Sequence, residues 1–398
     1  MTFFELFKNC WMVAGVIAAL VSLPGSAELL FLSLGPLFRR RRVLASWKPL
    51  KIAAVIPAHN ESAGIAACVL NVVSANRDRI DLTVVVVADN CTDDTAVIAQ
   101  NAGARVLVRN NPELRGKGYA LDYAFRTLAQ EGFEAFAIID ADSEIASNFF
   151  NVAAAHISDG ANALQSRYLV RNPKESARTR LMNVALLAFN VLRPMGRSAW
   201  GLSAGIYGNG FVLTSKTLAA VPYNAASVVE DLEYHLALVR AGMLVEFAGE
   251  TAVYGEIPSS GKGVKTQRAR WEGGRIRILR ERGPQLAGEI AIGRIRLLEP
   301  LLDLLLLPLA FHVALLLIAA TDPASLPRIA GLTGLSIVGL HLIAAILAGH
   351  GTWRDVLILA MAPFYVAWKI VLIPTLFANA KSGTAWVRTE RSTEKKTL

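Results

Sequence analysis

Two pairs of neighbouring carboxylates carry the clearest chemical potential in this chain. Asp140-Ala-Asp142 follows the apolar run Phe136–Ile139, and Glu230-Asp231 stands before a helical stretch near residues 232–241. Carboxylates this close repel unless a cation lies between them. Mg²⁺ or Mn²⁺ suits such hard oxygen donors and keeps phosphate and water in its remaining positions. A turn or a helix cap accounts for Asp140 and Asp142 as well. Glu230 and Asp231 read either as acids favouring a helix N-terminus or as a general base for a hydroxyl proton. Arg115-Gly-Lys-Gly118 offers other chemistry: its glycines let backbone approach an anion, and Lys117 supplies a point charge at the start of a helix. It lacks P-loop spacing, and an exposed basic turn fits it too. Gln267 and Arg270 share one helix face beside Trp271, whose indole suits a sugar ring or a membrane interface. The sequence presents no Ser-His-Asp or Cys-His arrangement for covalent catalysis. Cys10, Cys68 and Cys91 are too scattered for a disulfide framework or a four-ligand zinc site.

These residues need elements to hold them. Lys51–Ile56 is a short apolar run ended by Pro57, as expected of a buried parallel strand. Leu82–Ala88, rich in valine, reads as a second strand, Arg105–Val108 as a third and Phe136–Ile139 as a fourth. Helical spacing falls between them, over 64–76, near 95–102 and over 118–131. Alternating strands and helices predict an α/β fold, a largely parallel sheet with helices on both faces. The polar residues gather where strands end: His59, Asn60 and Glu61 after the first, Asp89, Asn90, Asp93 and Asp94 after the second, Asp140 and Asp142 after the fourth. Open α/β sheets bind ligands there.

The rest of the chain is apolar. Hydrophobic residues make up 53% and charged residues 18% of 398, which excludes a disordered chain and argues against an ordinary soluble enzyme. Residues 11–38 carry one charge, Glu28, and are long enough to cross a bilayer core of about 30 Å, with a kink expected at Pro24-Gly25. Three more candidate spans are 304–320, 329–349 and 356–377. The formal charge of +9 is unevenly placed. Residues 39–51 hold six basic and no acidic side chains, residues 262–296 ten and three, and the tail from Lys381 five and two, which leaves −7 for the remainder. The excess borders the apolar segments, as expected of anionic lipid contacts rather than nucleic acid. The expected layout is an N-terminal span with a basic anchor (1–43), an α/β domain (44–271), basic amphipathic interfacial helices broken near Gly283-Pro284 (272–296), and C-terminal spans with a basic tail (297–398). Arg39–Arg42 put the α/β domain on the cytoplasmic side of the cell membrane. The basic tail favours that side too, which requires one segment to re-enter or lie in the interface. A transporter would place more ionisable residues in its spans and leaves the α/β domain unexplained. A nucleotide sensor would not need Asp231 or the Gln267–Trp271 set.

In order and spacing, Ile56-Pro-Ala-His-Asn-Glu61, Asp89-Asn-Cys-Thr-Asp-Asp94, Gly116-Lys-Gly118, Asp140-Ala-Asp142, Gly208-Asn-Gly210, Glu230-Asp231 and Gln267-Arg-Ala-Arg-Trp271 resemble the family 2 glycosyltransferases. The resemblance covers roughly residues 50–275 and is closest to the membrane-bound branch with cellulose, chitin and hyaluronan synthases. It implies a GT-A fold, a nucleotide-sugar donor (usually a UDP-sugar), Mg²⁺ or Mn²⁺, and inversion at the anomeric carbon in cell-surface glycan synthesis. By the same resemblance, Glu61 and Asp89 hold the nucleoside, Lys117 lies near the base or diphosphate, Asp140 contacts the donor, and Asp142 ligates the metal. Asp231 is the catalytic base with Glu230 beside it, and Gln267, Arg270 and Trp271 frame the diphosphate and acceptor end. Pro194–Gly210, with Asn209 and Gly210, is expected on the acceptor side from its place between the two acidic motifs. Two departures matter: Val229 stands where the synthases often have threonine, and the C-terminal membrane part is small. The size favours adding one sugar to a lipid-linked or membrane-bound acceptor over polymer synthesis. A sphingolipid or diacylglycerol glucosyltransferase has a similar layout.

Overall fold

The computed structural model describes residues 2–38, 46–224, 229–257 and 262–371, with the side chains of 262–272 and 368–371 outside the description. The chain forms two compact units. Among the described residues, one comprises 46–179 and 201–271; the other comprises 2–38, 180–200 and 272–371.

The first of these is built on an eight-stranded sheet. Its strands are β1 (Leu50–Ala58), β2 (Ile80–Asp89), β3 (Arg105–Arg109), β4 (Ala135–Ile138), β5 (Glu144–Ile145), β6 (Ala163–Val170), β7 (Phe211–Thr214) and β8 (Val245–Gly255), in the order β3-β2-β1-β4-β7-β6-β8-β5. β1 pairs in parallel with β2 and β4, placing Val55 opposite both Val85 and Ile138. Ile52 through Ile56 are wholly buried, as a strand covered on both faces requires. Alternation sends Ile52, Ala54 and Ile56 into one core with Ile65, Val69 and Phe149. It sends Ala53 and Val55 into another with Leu121, Phe125, Phe211 and Tyr234. The expected strands and helices are present with ends shifted by up to three residues; the helix expected over 118–131 spans Lys117–Leu128. The expected parallel sheet acquires antiparallel partners at β7, which pairs with both β4 and β6, and at β5. Ile138, where β4 ends, faces Phe211, where β7 begins. The chain re-enters the sheet at the end where the Asp140 loop leaves it, so β7 must run back along β4.

The second unit is helical. Helix Phe3–Phe38 and helix Ser325–Ala348 are each long and apolar enough to cross a membrane, and the pair Ile295–Leu305 and Leu309–Ala320, bent by 79°, counts as a third if it forms one broken span. Pro308 sits at that break and removes a helical donor. Among the described residues, the expected fourth span resolves into Trp353–Leu357, a 3₁₀ turn Ile358–Met361 and Ala362–Val371; residues 372–377 lie outside the described residues. The kink expected at Pro24-Gly25 does not interrupt helix Phe3–Phe38. Nor does Gly283-Pro284 break helix Lys262–Ala291, because glycine before proline lacks the Cβ that would clash.

Helix Phe3–Phe38 turns small or polar residues inward, including Gly15, Ala18, Ser22, Gly25 and Gly35, while Leu20 and Leu23 face outward. Small residues let helices approach closely in lipid. A Cβ on Gly196 would lie 2.2 Å from the Leu32 carbonyl oxygen, and one on Gly35 would lie 2.7 Å from Gly196 Cα. Residues 180–200 thus group with this unit, although they fall within the stretch 44–271 of the chain. Trp200, expected near the acceptor, stacks on Phe31 at 4.8 Å and donates to its carbonyl oxygen.

A buried charge network ties this unit together. Asp303 accepts from Arg193, from Arg197 at 2.5 Å and from Arg275 at 3.1 Å. Arg197 also pairs with Glu299, and Glu28 lies 3.4 Å from Arg193. Three cations meet three anions, so the cluster is neutral. The lone acid of an apolar span needs such partners.

Candidate active site

The site forms where the Asp140 loop, the start of helix Lys117–Leu128, the Gly208–Gly210 turn and the start of helix Glu230–Arg240 meet. Lys117 lies at the first of these helix starts and Gly116, with φ +136°, turns the chain into it. The ammonium of Lys117 donates to Asp140 Oδ1 and to the Gly208 carbonyl oxygen. Gly208 has φ +77°, and a Cβ there would sit 3.2 Å from Asp231 Oδ2 and 3.9 Å from Lys117 Nζ. A bare backbone therefore lets Lys117, Asp140 and Asp231 converge. Asp231 receives its own helix's Leu232 N–H at 2.8 Å, which fixes the carboxylate at the helix start.

The electrostatics follow from this crowding. Burial raises Asp231 above the usual aspartate range, although the Leu232 N–H and Lys117 oppose the shift. Burial and the Asp231 charge push Glu230 up to about 8, so it holds its proton at neutral pH. Burial alone would lower Lys117, but Asp140, Glu230 and Asp231 outweigh it and hold the ammonium charged. Burial, aided by Asp140 and Asp142, raises the Tyr168 phenol. One fixed cation faces Asp140, Glu230 and Asp231, and Asp142 follows Asp140 by two residues, so hard carboxylate oxygens outnumber the cation. The residues present fit Mg²⁺ or Mn²⁺.

Asn209 makes its hydrogen bonds inward. It is wholly buried, accepts from Asp140 N–H at 3.1 Å, donates to Ser143 Oγ at 2.8 Å, and its carbonyl accepts from Gln165 Nε2 at 2.8 Å. It braces the Asp140–Asp142 loop from beneath and presents no side chain to an acceptor. Gly210 is equally enclosed: a Cβ there would lie 2.4 Å from Val253 Cγ1 and 2.5 Å from Ser166 Oγ. Both were expected on the acceptor side, and both are buried in this structure.

The loops after β1 and β2 form a second cluster. Asp89 is buried and pairs with Arg109 at 2.5 Å. His59 Nδ1 lies 2.7 Å from the Asp89 carbonyl oxygen. Glu61, also buried, donates its backbone N–H to the Thr95 hydroxyl oxygen at 2.8 Å. Asn60 and Asn90 both adopt positive φ, which asparagine tolerates. Gln267, Arg270 and Trp271 lie on helix Lys262–Ala291, and their side chains fall outside the described residues. Sequence reasoning missed Arg109, Ser143 and Gln165. An arginine ending a strand beside an acidic strand end was the available signal for the first; a buried serine and glutamine gave none.

A family model described as "Glycosyltransferase like family 2" matches residues 49–274, more than half of the chain. The chain belongs to this family. Among curated proteins, the probable glycosyltransferase YdaM of Bacillus subtilis is 25% identical over 233 residues, which are 56% of this chain and 55% of that protein. The beta-monoglucosyldiacylglycerol synthase of a Nostoc species is 27% identical over 236 residues, 57% of this chain and 50% of that protein. The chain thus spans about half the length of the curated relatives it matches. A mannosyltransferase of Pyrobaculum calidifontis, solved in complex with GDP-Man and Mn²⁺, aligns over 85% of this chain and 98% of its own with a TM-score of 0.54 at 18% identity. That likeness concerns the fold, and it supports the expected GT-A architecture with flanking apolar helices.

Proposed function

We propose that this family member is an inverting hexosyltransferase that moves one sugar from a nucleotide-sugar donor to an acceptor held at the membrane. The observation that carries this reading is the approach of Asp231 to Gly208, beside the Lys117–Asp140 pair. The acceptor hydroxyl gives its proton to Asp231 while its oxygen bonds to the anomeric carbon from the face opposite the donor phosphate. The carbon–oxygen bond to the diphosphate breaks, and the nucleoside diphosphate carries away the electron pair. Raised above the usual range, Asp231 is a stronger proton acceptor than an ordinary aspartate. Lys117 holds Asp140 in place towards the donor. Asp142, with Asp140, would hold Mg²⁺ or Mn²⁺, which supplies charge neutralisation for the departing diphosphate. Asp89, Glu61 and the loops after β1 and β2 would hold the nucleoside of a UDP-sugar.

The Nostoc relative's name supports a lipid acceptor, and the candidate spans support a place in the membrane; Arg39–Arg42 would keep the α/β unit on the cytoplasmic side. The C-terminal tail would lie on that side as well. The test is nucleoside diphosphate release by the purified protein, with a panel of nucleotide sugars and with membrane lipids or glycan primers as acceptors. One sugar per lipid supports the proposal, a ladder of products shows polymer synthesis instead, and no turnover of any donor removes the enzymatic reading. Asp231→Asn should lower kcat by about 10²- to 10⁴-fold; an unchanged kcat removes Asp231 as the base.

A further inference from the structure

Helix Lys262–Ala291 ends in a turn, Ile292–Gly293–Arg294, before the 3₁₀ turn Ile295–Leu297 begins the bent pair that passes as a membrane span. Large apolar side chains normally turn inward at such a junction. Here Ile292 is 79% exposed and Ile295 62%, with Leu298 also facing outward, while Leu297 alone is buried. Arg294 and Arg296 alternate with these residues and are themselves exposed. Arg294 pairs with Glu289 at 2.9 Å, whereas Arg296 has no ion-pair partner among the described residues. Two isoleucines and a leucine interleaved with arginines make a short amphipathic hook, apolar at its tips and cationic at its shoulders.

We propose that this hook, residues 292–298, inserts into the headgroup boundary of an anionic bilayer leaflet and binds acidic phospholipid through Arg294 and Arg296. Chain continuity with the candidate span places it at the membrane edge. Its charge selects acidic lipid, and its exposed side chains match the depth reached by interfacial elements. The hook is narrower than the whole basic stretch 272–296 read from the sequence, because helix Lys262–Ala291 has its own packed side, with Ile278 and Leu286 buried. The inference rests on the spans lying in a bilayer and not on sugar transfer, so failure of the transferase reading would leave it standing.

The test places a nitroxide at Ile295→Cys in a Cys10→Ser background, in nanodiscs. The Cys10→Ser protein with Ile295 intact, put through the same labelling, serves as the blank. Accessibility to oxygen exceeding accessibility to a water-soluble nickel chelate is expected. Native mass spectrometry of the full chain from nanodiscs of equal phosphatidylcholine and phosphatidylglycerol should show retained phosphatidylglycerol. The pair Arg294→Gln and Arg296→Gln should weaken that retention by about thirtyfold, the loss expected from two basic side chains at an anionic surface. A label open to the chelate, or equal retention of both lipids by the unaltered protein, overturns the proposal. If the double variant fails to fold, Arg296→Gln alone gives the same readout at smaller amplitude.

Discussion

A proton held by Glu230 is the most testable consequence of the site's crowding. Its carboxyl is raised to about 8 by burial and by Asp231, against an ordinary value near 4.5. A group raised in the folded state adds stability below its unfolded pKa and loses it as pH climbs through the folded one. The metal-free protein should therefore lose thermal stability between about pH 5 and pH 8, and Glu230→Gln should flatten that slope. Parallel melting curves of the two proteins at both pH values check this; equal slopes refute it. At this scale the sequence showed which residue types matter but not which ones face a ligand. Asp140, Asp142, Glu230 and Asp231 stand out in the sequence because acids beside apolar runs are unusual. The burial of Asn209 and Gly210 was not readable, because a polar residue beside a glycine looks the same in sequence whether it faces solvent or braces a loop. Only the wholly buried amide, bonded to Asp140 and Ser143, separates the cases.

At the level of elements, helix contacts depend on missing side chains. Gly196→Ala would bring a methyl group to 2.2 Å from the Leu32 carbonyl oxygen, a backbone atom that cannot rotate away. A loss of about 1–3 kcal/mol is expected, as for other overpacked sites, read as a lower melting temperature in detergent. Asp303→Asn should cost more, about 3–5 kcal/mol, because it leaves Arg193, Arg197 and Arg275 facing one another around an uncharged amide. Thermal unfolding of the two variants side by side ranks them. The strands and their helices were readable because valine-rich runs bounded by acids have few other conformations available. The antiparallel β7 was not, since four residues, Phe211–Thr214, carry no directional signal. The packing of residues 180–200 with the spans was hidden as well. Arg193 and Arg197 look like surface charges until Glu28 and Asp303 are seen against them.

The whole molecule joins an α/β sheet to apolar helices, and its surface follows that division. Leu20, Leu23, Leu326, Leu340 and Leu347 stand exposed on the long helices, where lipid would cover them. The chain should stay with membranes after an alkaline carbonate wash and leave only with detergent; release into the wash would show that none of the helices crosses. Net charge, read from composition alone, suggests nucleic acid, and only its location beside the apolar segments points to lipid.

The return of residues 180–200 to the helical unit also sets a timetable for synthesis. Arg197 leaves the ribosome about a hundred residues before Glu299 and Asp303 do, a delay on the order of ten seconds at ordinary elongation rates. β7 and β8 emerge during that interval, after the arginines and before their main counterions. Helix Phe3–Phe38, made before them, meets these two guanidinium groups with Glu28. The nascent protein must therefore keep Arg193 and Arg197 hydrated until its last third arrives, and a ribosome stalled near residue 290 would hold a chain whose sheet is fully synthesised while its helical half still lacks the anions that close it.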